Sequence, residues 1–275
     1  MFKKIFLSIF FLIFVLFVFS KTYAKPCDYI FEHKNGLYVL SFDINSFIIE
    51  PYVSENLETV DSIAKKTGAF AAINTGFFDP KNKQTISFVT ENGKILANPY
   101  DNNNLTCNVE LKPHLDKIFN RGELRLYNCN GQFKTDINYR NSEKMSDCLL
   151  SMTTQAGPIL LPELDLEKEF FILKQDGKIV RQSANVLGKT ARSGMGYKGK
   201  EIYFFVTDND NPMTIYEFQN KVKELNLLKA LAFDGGGSVS LFVNDNENNP
   251  FYISAEVKGE SRRIKSALLL MKKAK

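Results

Sequence analysis

The sequence predicts a mixed α+β fold, built mainly from antiparallel β-sheets with a few helices packed on them and a functional cleft at the strand tips. Three observations support this prediction. Short apolar runs outnumber the stretches with helical spacing, turn-forming Gly, Asn and Pro residues separate these runs, and the helical stretches lie between strands. We expect a signal segment over residues 1–24 and a single domain over residues 25–275.

The N-terminus has the pattern of a secretory signal. Met1-Phe-Lys-Lys is basic, residues 5–19 are almost entirely apolar, and a short Thr-Tyr-Ala stretch ends at Ala24. We expect cleavage after Ala24 and export to the periplasm or out of the cell. The apolar run is shorter than the roughly 20 residues that span a bilayer. We therefore expect membrane contact only through this segment before cleavage, with an uncleaved anchor as the alternative.

The charge balance argues against a nucleic-acid partner. The whole chain has 35 basic and 31 acidic residues, and the signal removes Lys3, Lys4 and Lys21. The mature chain is therefore nearly neutral, whereas nucleic-acid binding needs a clustered basic face.

Four cysteines follow the signal, and export permits disulfides. They are Cys27, Cys107, Cys129 and Cys148. Their even number favours two bridges, although the sequence does not choose the pairing. Because no C-x-x-C motif occurs and His33 and His114 are the only histidines, a His/Cys zinc site is not expected. Three of the cysteines lie in residues 100–150, an Asn-, Asp- and Lys-rich segment that we interpret as a surface excursion.

The first half of the chain predicts a strand, a helix and a buried strand. Residues 36–49 alternate after an Asn-Gly turn, which indicates a strand. Residues 57–67 have helical spacing and stop at Gly68, a typical residue just beyond a helix end. The apolar residues 69–73 follow and predict a buried strand that ends at Asn74.

The second half repeats this order. Thr214 and Glu217 form a capping-box pattern, and the predicted helix after them is followed by a short apolar strand that reaches Asp234. We hypothesise that Asn74 and Asp234 end neighbouring strands and face one cleft. Another strand is expected at residues 202–207. Two hairpins are expected, one pairing residues 124–127 with 132–135 and the other pairing 241–243 with 251–255. Residues 267–271 are expected to form a strand or a short helix.

A glycine corner follows Asp234. Glycine permits a positive φ and lets another molecule approach the main-chain N–H groups, and successive N–H groups form an anion-binding concavity. Polar side chains also end or follow apolar runs at five predicted strand tips: Asn74, Gln155, Arg192, Asp208 and Asp234. The guanidinium of Arg192 matches phosphate or carboxylate, and the two aspartates supply the carboxylate pair that glycoside cleavage usually requires.

Four blocks of sequence carry a resemblance to a known family. They are Ala71-Ala-Ile-Asn-Thr-Gly-Phe-Phe78, Ala156-Gly-Pro-Ile-Leu160, Arg192-Ser-Gly-Met-Gly196 and Ala232-Phe-Asp-Gly-Gly-Gly-Ser238. In this order they resemble the phosphodiester glycosidase family, which includes the lysosomal uncovering enzyme that removes N-acetylglucosamine from mannose-6-phosphate diesters. The resemblance implies hydrolysis of a sugar-1-phosphodiester at the anomeric C–O bond.

The residues are assigned to this chemistry as follows. Asp234 stabilises the cationic sugar or activates water, Asp208 is the second acid, and Arg192 stabilises the departing phosphate. The expected substrate-binding residues are Asn74, Gly76, Gln155, Gly235, Gly236, Gly237 and Ser238. The expected partner is a sugar phosphodiester or another anionic glycan. No cofactor is assigned, and a divalent cation, Ca²⁺ or Mg²⁺, is left open.

Two alternatives remain open at this point. The first is a metal-assisted phosphodiesterase that cuts the P–O bond, with Mg²⁺ or Ca²⁺ held by Asp208, Asp210 and Asp234. The second is a non-catalytic envelope protein that binds anionic glycans.

Overall fold

The structure is a computed structural model of the chain, and it describes residues 28–246, 249–257 and 259–273. The expected signal segment and Cys27 lie outside the described residues. The described strands are, in chain order, β1 (Tyr29–Lys34), β2 (Leu37–Asp43), β3 (Phe47–Glu58), β4 (Ala71–Asn74), β5 (Val89–Glu91), β6 (Lys94–Ala97), β7 (Gly122–Cys129), β8 (Gln132–Tyr139), β9 (Leu149–Gln155), β10 (Ile159–Leu161), β11 (Ile172–Gln175), β12 (Lys178–Gln182), β13 (Ser193–Lys198), β14 (Glu201–Val206), β15 (Lys229–Ala232), β16 (Ser240–Val243), β17 (Phe251–Ser254), β18 (Glu256–Val257), β19 (Glu260–Ser261) and β20 (Ile264–Lys272).

The described helices are short and few. They are α1 (Val60–Thr67), α2 (Asn103–Thr106), α3 (Leu115–Phe119) and α4 (Ile215–Lys223), with 3₁₀ turns at Pro99–Asp101, Lys112–His114 and Gly236–Ser238. None of these described helices has the length and apolar character needed to cross a membrane. The predicted class, α+β with mainly antiparallel sheets, is confirmed.

Both predicted helix signals are confirmed. Helix α1 ends at Gly68, which has φ 71° and donates its N–H to the carbonyl of Ala64. Helix α4 begins after a complete capping box, in which Thr214 and Glu217 each bond the main chain of the other. Helix α1 begins three residues later than predicted, because Leu57 belongs to β3. The strand predicted over residues 36–49 is two strands, β2 and the start of β3, separated by a turn at residues 44–46.

A six-stranded antiparallel sheet has the order β1-β2-β14-β13-β15-β10. A five-stranded antiparallel sheet has the order β17-β16-β4-β20-β3 and contains the predicted hairpin of β16 and β17. Strands β4 and β15 therefore lie in different sheets, and the hypothesis that they are neighbouring strands holds only for their tips. The last apolar run is a strand, β20, which pairs with β3 and β4.

The third sheet, with the order β6-β5-β9-β7-β8, corrects the interpretation of residues 100–150 as a surface excursion. The predicted β7–β8 hairpin forms, but Leu124, Leu126 and Ile137 on it are buried in the main core together with residues of the other two large sheets. Alternation of apolar and polar residues lets these strands be polar on one face and still bury the other. The excursion is limited to residues 99–119, which carry α2 and α3.

One disulfide, between Cys129 and Cys148, ties the end of β7 to the residue just before β9. Cys107 is exposed and carries a free thiol. The expected second bridge is therefore not formed among the described cysteines, and its remaining candidate partner, Cys27, lies outside them.

Candidate active site

The tips of β4 and β15 meet at Asp234, as predicted. The side-chain amide of Asn74 donates to the main-chain carbonyl of Asp234 over 2.7 Å, and the N–H of Asp234 donates to the carbonyl of Thr75 over 2.8 Å. The hydroxyl of Ser193 on β13 donates to the same carbonyl of Asp234 over 3.2 Å. Three hydrogen bonds with the tip of β4 and with β13 thus fix the main chain of Asp234, and Asp234 lines a cavity.

The glycine corner after Asp234 offers fewer N–H groups than predicted. Gly236 adopts φ 62°, a conformation that favours glycine, and its N–H donates to the carbonyl of Ala191 over 2.9 Å. The N–H of Gly235 faces the carboxyl group of Asp234 and lowers its pKa. Because the N–H of Gly236 is used by the main chain, a concavity of three free N–H groups is not formed.

The carboxyl group of Asp234 has a raised pKa of about 6. Burial causes the rise, because a charged group is poorly solvated among protein atoms. The hydroxyl of Ser238, the charge of Arg262 and the N–H of Gly235 each lower the pKa and offset part of this rise. The Ser238 hydroxyl is buried and makes no hydrogen bond of good geometry, so its influence on the carboxyl group is that of a loose contact. Asp234 is consequently poised to exchange a proton near neutral pH.

Arg262 supplies a cation on the same cavity. It lies just before β20, its guanidinium carbon is 5.1 Å from the ring centroid of Phe78, and its charge reaches Asp234. Within the described residues, no hydrogen bond or salt bridge uses its guanidinium. Five N–H donors are therefore available to an anion that enters the cavity.

Two further arginines border the cavity. Arg121 is buried, with its guanidinium carbon 4.0 Å from the ring centroid of Phe171, and its Nε donates to the carbonyl of Glu169. Arg181 on β12 is partly exposed, lies 4.5 Å from the ring centroid of Phe170 and donates from Nη1 to Ser183. Burial lowers the pKa of both arginines, that of Arg121 to about 10. Both remain cations at neutral pH.

The cavity has a volume of about 450 Å³, a size typical of small-ligand sites. Its polar lining residues are Arg121, Arg181, Ser183, Asn185, Asp234, Gly235, Gly236, Gly237 and Arg262. Its apolar lining residues are Phe77, Phe78, Ile86, Leu105, Leu111 and Ile118. Among the described lining residues, Asp234 is the only carboxylate and three are arginines. The cavity is thus suited to an anionic ligand.

Arg192 lies beside the corner but does not line the cavity. A Cβ atom at Gly235 would lie 3.5 Å from its Nη1. Its Nε donates to the carbonyl of Met213 over 2.8 Å, and its Nη2 donates to the carbonyls of Val186 and Gly188 over 3.0 and 2.6 Å. These contacts place Arg192 as a main-chain anchor behind the corner, whereas the sequence analysis assigned it to phosphate binding.

Three predicted substrate-binding residues are packed behind the cavity wall. Asn74 uses its amide nitrogen on Asp234 and its amide oxygen on the N–H of Ser240. Gln155 is buried and donates to the carbonyl of Phe119 over 2.9 Å. Gly76 is needed for close packing, because a Cβ atom there would lie 2.6 Å from Cβ of Ser87. None of the three lines the cavity, and Asn74 acts on the site by positioning Asp234.

Asp208 does not join Asp234 in the cavity. Its Oδ1 accepts hydrogen bonds from the main-chain N–H groups of Asp210 and Asn211, which closes a turn after β14. In the described part of the chain, no group of three or more His, Cys, Asp or Glu side chains is close enough to hold a metal ion. The ligand set predicted for Mg²⁺ or Ca²⁺, Asp208 with Asp210 and Asp234, is therefore not assembled.

The sequence analysis missed the three cavity arginines. Arg262 lies in a Glu-Ser-Arg-Arg stretch that has the composition of an exposed turn, and no local pattern distinguishes it from Arg263. The only available signal was its position just before a strongly apolar strand, which is the same criterion that singled out Arg192.

A family model described as phosphodiester glycosidase matches residues 67–271. No curated protein matches the chain in sequence. The fold resembles that of a zebrafish N-acetylglucosamine-1-phosphodiester alpha-N-acetylglucosaminidase catalytic domain auto-inhibited by its pro-peptide, with a TM-score of 0.62 and 14% identity, over 89% of this chain and 82% of that one.

Two bacterial structures have a similar fold. One is a hypothetical protein from Synechocystis, with a TM-score of 0.57 and 13% identity over 89% of this chain. The present chain spans only 61% of that protein. The other is a Burkholderia pseudomallei protein described provisionally as exported, with a TM-score of 0.54 and 13% identity, over 86% of this chain and 73% of that one. At these identities the likeness concerns the fold alone.

Proposed function

Because the chain belongs to the phosphodiester glycosidase family, we propose that it hydrolyses the bond between the anomeric carbon of a sugar and the phosphate of a sugar-1-phosphodiester. One observation carries this proposal. The cavity combines a single carboxyl group of raised pKa, Asp234, with a guanidinium, Arg262, that no described residue uses.

A single carboxylate is sufficient for this substrate. Glycosidases usually need a second carboxyl group to protonate a sugar or alcohol leaving group. Here the leaving group is a phosphate monoester, whose second pKa is about 6, so it departs as a stable anion without prior protonation. The absence of a second carboxylate among the described lining residues is therefore consistent with a phosphate leaving group.

The proposed reaction has one bond forming and one breaking at the anomeric carbon. The bond from that carbon to the phosphate oxygen breaks, and its electron pair stays on the phosphate. A water oxygen bonds to the carbon, and Asp234 as the carboxylate accepts a proton from this water. The products are the free sugar and a phosphate monoester. Asp234 also stabilises the positive charge that develops on the sugar ring in the transition state.

Arg262 is proposed to stabilise the departing phosphate. A guanidinium binds two phosphate oxygens at once and gains strength as negative charge accumulates on them. Arg181 lines the same cavity and adds to the attraction of an anion. Asn74 and Arg192 position the main chain around Asp234 and do not touch the substrate in this proposal.

Export is part of the proposal. The basic and apolar N-terminal stretch has the pattern of a signal, and the Cys129–Cys148 disulfide fits an oxidising compartment. The substrate is then a sugar phosphodiester in envelope or extracellular glycans.

The position of bond cleavage provides the experiment. Purified mature chain is incubated in ¹⁸O-labelled water with the methyl diester of N-acetylglucosamine-1-phosphate and with UDP-N-acetylglucosamine. We expect free sugar that carries the label and phosphate that does not. Label in the phosphate, together with loss of activity in EDTA, would instead support metal-assisted P–O cleavage. Tight binding without turnover across a panel of sugar phosphodiesters would support a glycan-binding protein.

A further inference from the structure

Six of the residues that line the cavity have apolar side chains with no polar group to offer a ligand. Phe77, Phe78 and Ile86 come from the segment between β4 and β5, and Leu105, Leu111 and Ile118 come from the helical segment of residues 103–119. We call these six residues the apolar wall. They border the open cavity of about 450 Å³ and leave part of their surface facing it. Such a surface next to charged groups is typical of a binding site for an amphipathic ligand.

The apolar wall is unsuited to the sugar. A sugar ring carries several hydroxyl groups, and burying a hydroxyl without a hydrogen-bond partner is unfavourable. Partners are supplied by the polar lining residues, among them Ser183, Asn185 and Gly237 with Asp234. The anomeric carbon must also approach Asp234. The sugar therefore binds against the polar lining residues.

Arg262 lies close both to Asp234 and to the apolar wall. Its guanidinium stacks 5.1 Å from the ring centroid of Phe78, so a phosphate bound to Arg262 lies next to the apolar wall. A phosphodiester has two substituents, and the sugar is one of them. The other substituent then extends along Phe78 toward Leu111 and Ile118.

We propose that the second substituent of the phosphodiester is apolar, an alkyl or isoprenoid group bound by the apolar wall. This inference rests on the proposed function and names its substrate class more closely. The substrates are sugar-1-phosphate diesters of aliphatic alcohols. The helical segment of residues 103–119 is the specificity-determining part of the site.

A series of synthetic diesters tests the proposal. N-acetylglucosamine-1-phosphate diesters with methyl, butyl and hexyl groups are compared under conditions where none forms micelles. Each buried methylene contributes about 0.8 kcal/mol, which corresponds to roughly a fourfold increase in kcat/KM. We expect kcat/KM to rise from methyl to butyl by at least about tenfold and to rise again to hexyl.

Variants locate the preference. Leu111→Asn places a polar group on the apolar wall, and it is expected to lower the ratio of kcat/KM for the hexyl diester to kcat/KM for the methyl diester by at least about tenfold. Leu115→Asn is the matched control, because Leu115 is partly buried in the same helical segment and does not line the cavity. It should retain the wild-type preference. Thermal unfolding of both variants shows whether each is folded.

The outcomes separate this inference from the proposed function. Equal hydrolysis of the methyl and hexyl diesters overturns the inference and leaves the proposed function in place. A hexyl preference that Leu111→Asn does not reduce overturns the assignment to the apolar wall. Hydrolysis of none of the diesters overturns both.

Discussion

The side-chain amide of Asn74 donates a 2.7 Å hydrogen bond to the main-chain carbonyl of Asp234, although the two residues lie 160 positions apart and are at the ends of strands in different sheets. The amide oxygen of Asn74 accepts from the N–H of Ser240. Asn74 thereby fixes the two ends of the glycine corner relative to each other, and the position of the Asp234 carboxyl group depends on it.

The first prediction concerns this contact. Asn74→Asp keeps the shape and the acceptor for Ser240 but loses the donor to Asp234. The carbonyl of Asp234 then retains only the longer hydrogen bond from Ser193 and faces a carboxylate. We expect kcat to fall by at least about tenfold and the free energy of unfolding to fall by about 1–3 kcal/mol. Urea unfolding and steady-state kinetics measure the two effects.

Asn56→Asp is the control for that change, because Asn56 lies exposed on β3. It should leave kcat unchanged and alter the free energy of unfolding by no more than about 0.5 kcal/mol. An Asn74→Asp protein with wild-type kcat would show that this hydrogen bond does not position Asp234.

A second prediction concerns the pH dependence of kcat/KM. Asp234 must be ionised to accept a proton, and its pKa is about 6. The carboxyl group of Asp234 is therefore ionised in about a tenth of the molecules at pH 5 and in about nine tenths at pH 7. Activity should therefore fall as the pH drops through 6, with a slope that reports one proton. An acidic limb centred near pH 4 would contradict the raised pKa.

A third prediction compares two adjacent arginines. Arg262→Gln removes the guanidinium that faces the cavity, and we expect a fall in kcat of about 10² to 10³-fold. Because the charge of Arg262 lowers the pKa of Asp234, the acidic limb of the variant should also move to higher pH. Arg263→Gln removes an exposed arginine and should leave both kcat and the position of the acidic limb unchanged. Equal effects of the two substitutions would exclude a special role for Arg262.

A fourth prediction separates anchoring from phosphate binding at Arg192. The guanidinium of Arg192 satisfies the carbonyls of Met213, Val186 and Gly188. Arg192→Met removes all three bonds. The carbonyls of Met213 and Val186 keep the main-chain N–H groups of Thr190 and Ile215, whereas that of Gly188 loses its donor, and we expect the free energy of unfolding to fall by about 3 kcal/mol. A variant of wild-type stability with only a raised KM would instead support the role assigned from the sequence.

Local patterns predicted much of the fold. The Thr214–Glu217 capping box, the stop at Gly68 and the β7–β8 and β16–β17 hairpins all formed where expected. Each depends on residues that are close in sequence. The meeting of Asn74 and Asp234 was also predicted, because both halves of the chain have the same order of a helix, a short buried strand and a polar residue at its end.

The rest of the site depends on contacts between distant segments. Nothing near Arg192 in the sequence shows that its donors are used by the carbonyls of residues 186, 188 and 213. Asp208 has the same local pattern as Asp234, yet its carboxylate closes a turn. Arg262 acquires its role only because β20 pairs with β4 and so brings the start of β20 to the cavity.

The composition of residues 100–150 was also misleading. Polar strand residues and Asn-rich turns indicated a surface segment, but one face of β7 and β8 is buried in the main core. Burial of one face of a sheet requires only alternate residues to be apolar, and Leu124 and Leu126 meet that requirement within an otherwise polar stretch.

The most direct test of the account compares Asp234→Asn with Asp208→Asn in the release of free sugar from the methyl diester of N-acetylglucosamine-1-phosphate. Both substitutions replace an aspartate that follows a strand with its neutral isostere, but only Asp234 lines the cavity. The account predicts that Asp234→Asn lowers kcat by about 10³-fold or more in a protein that unfolds at the wild-type temperature or above, while Asp208→Asn retains most of the activity. Wild-type turnover by Asp234→Asn, or an equal loss in Asp208→Asn with unchanged stability, would contradict it.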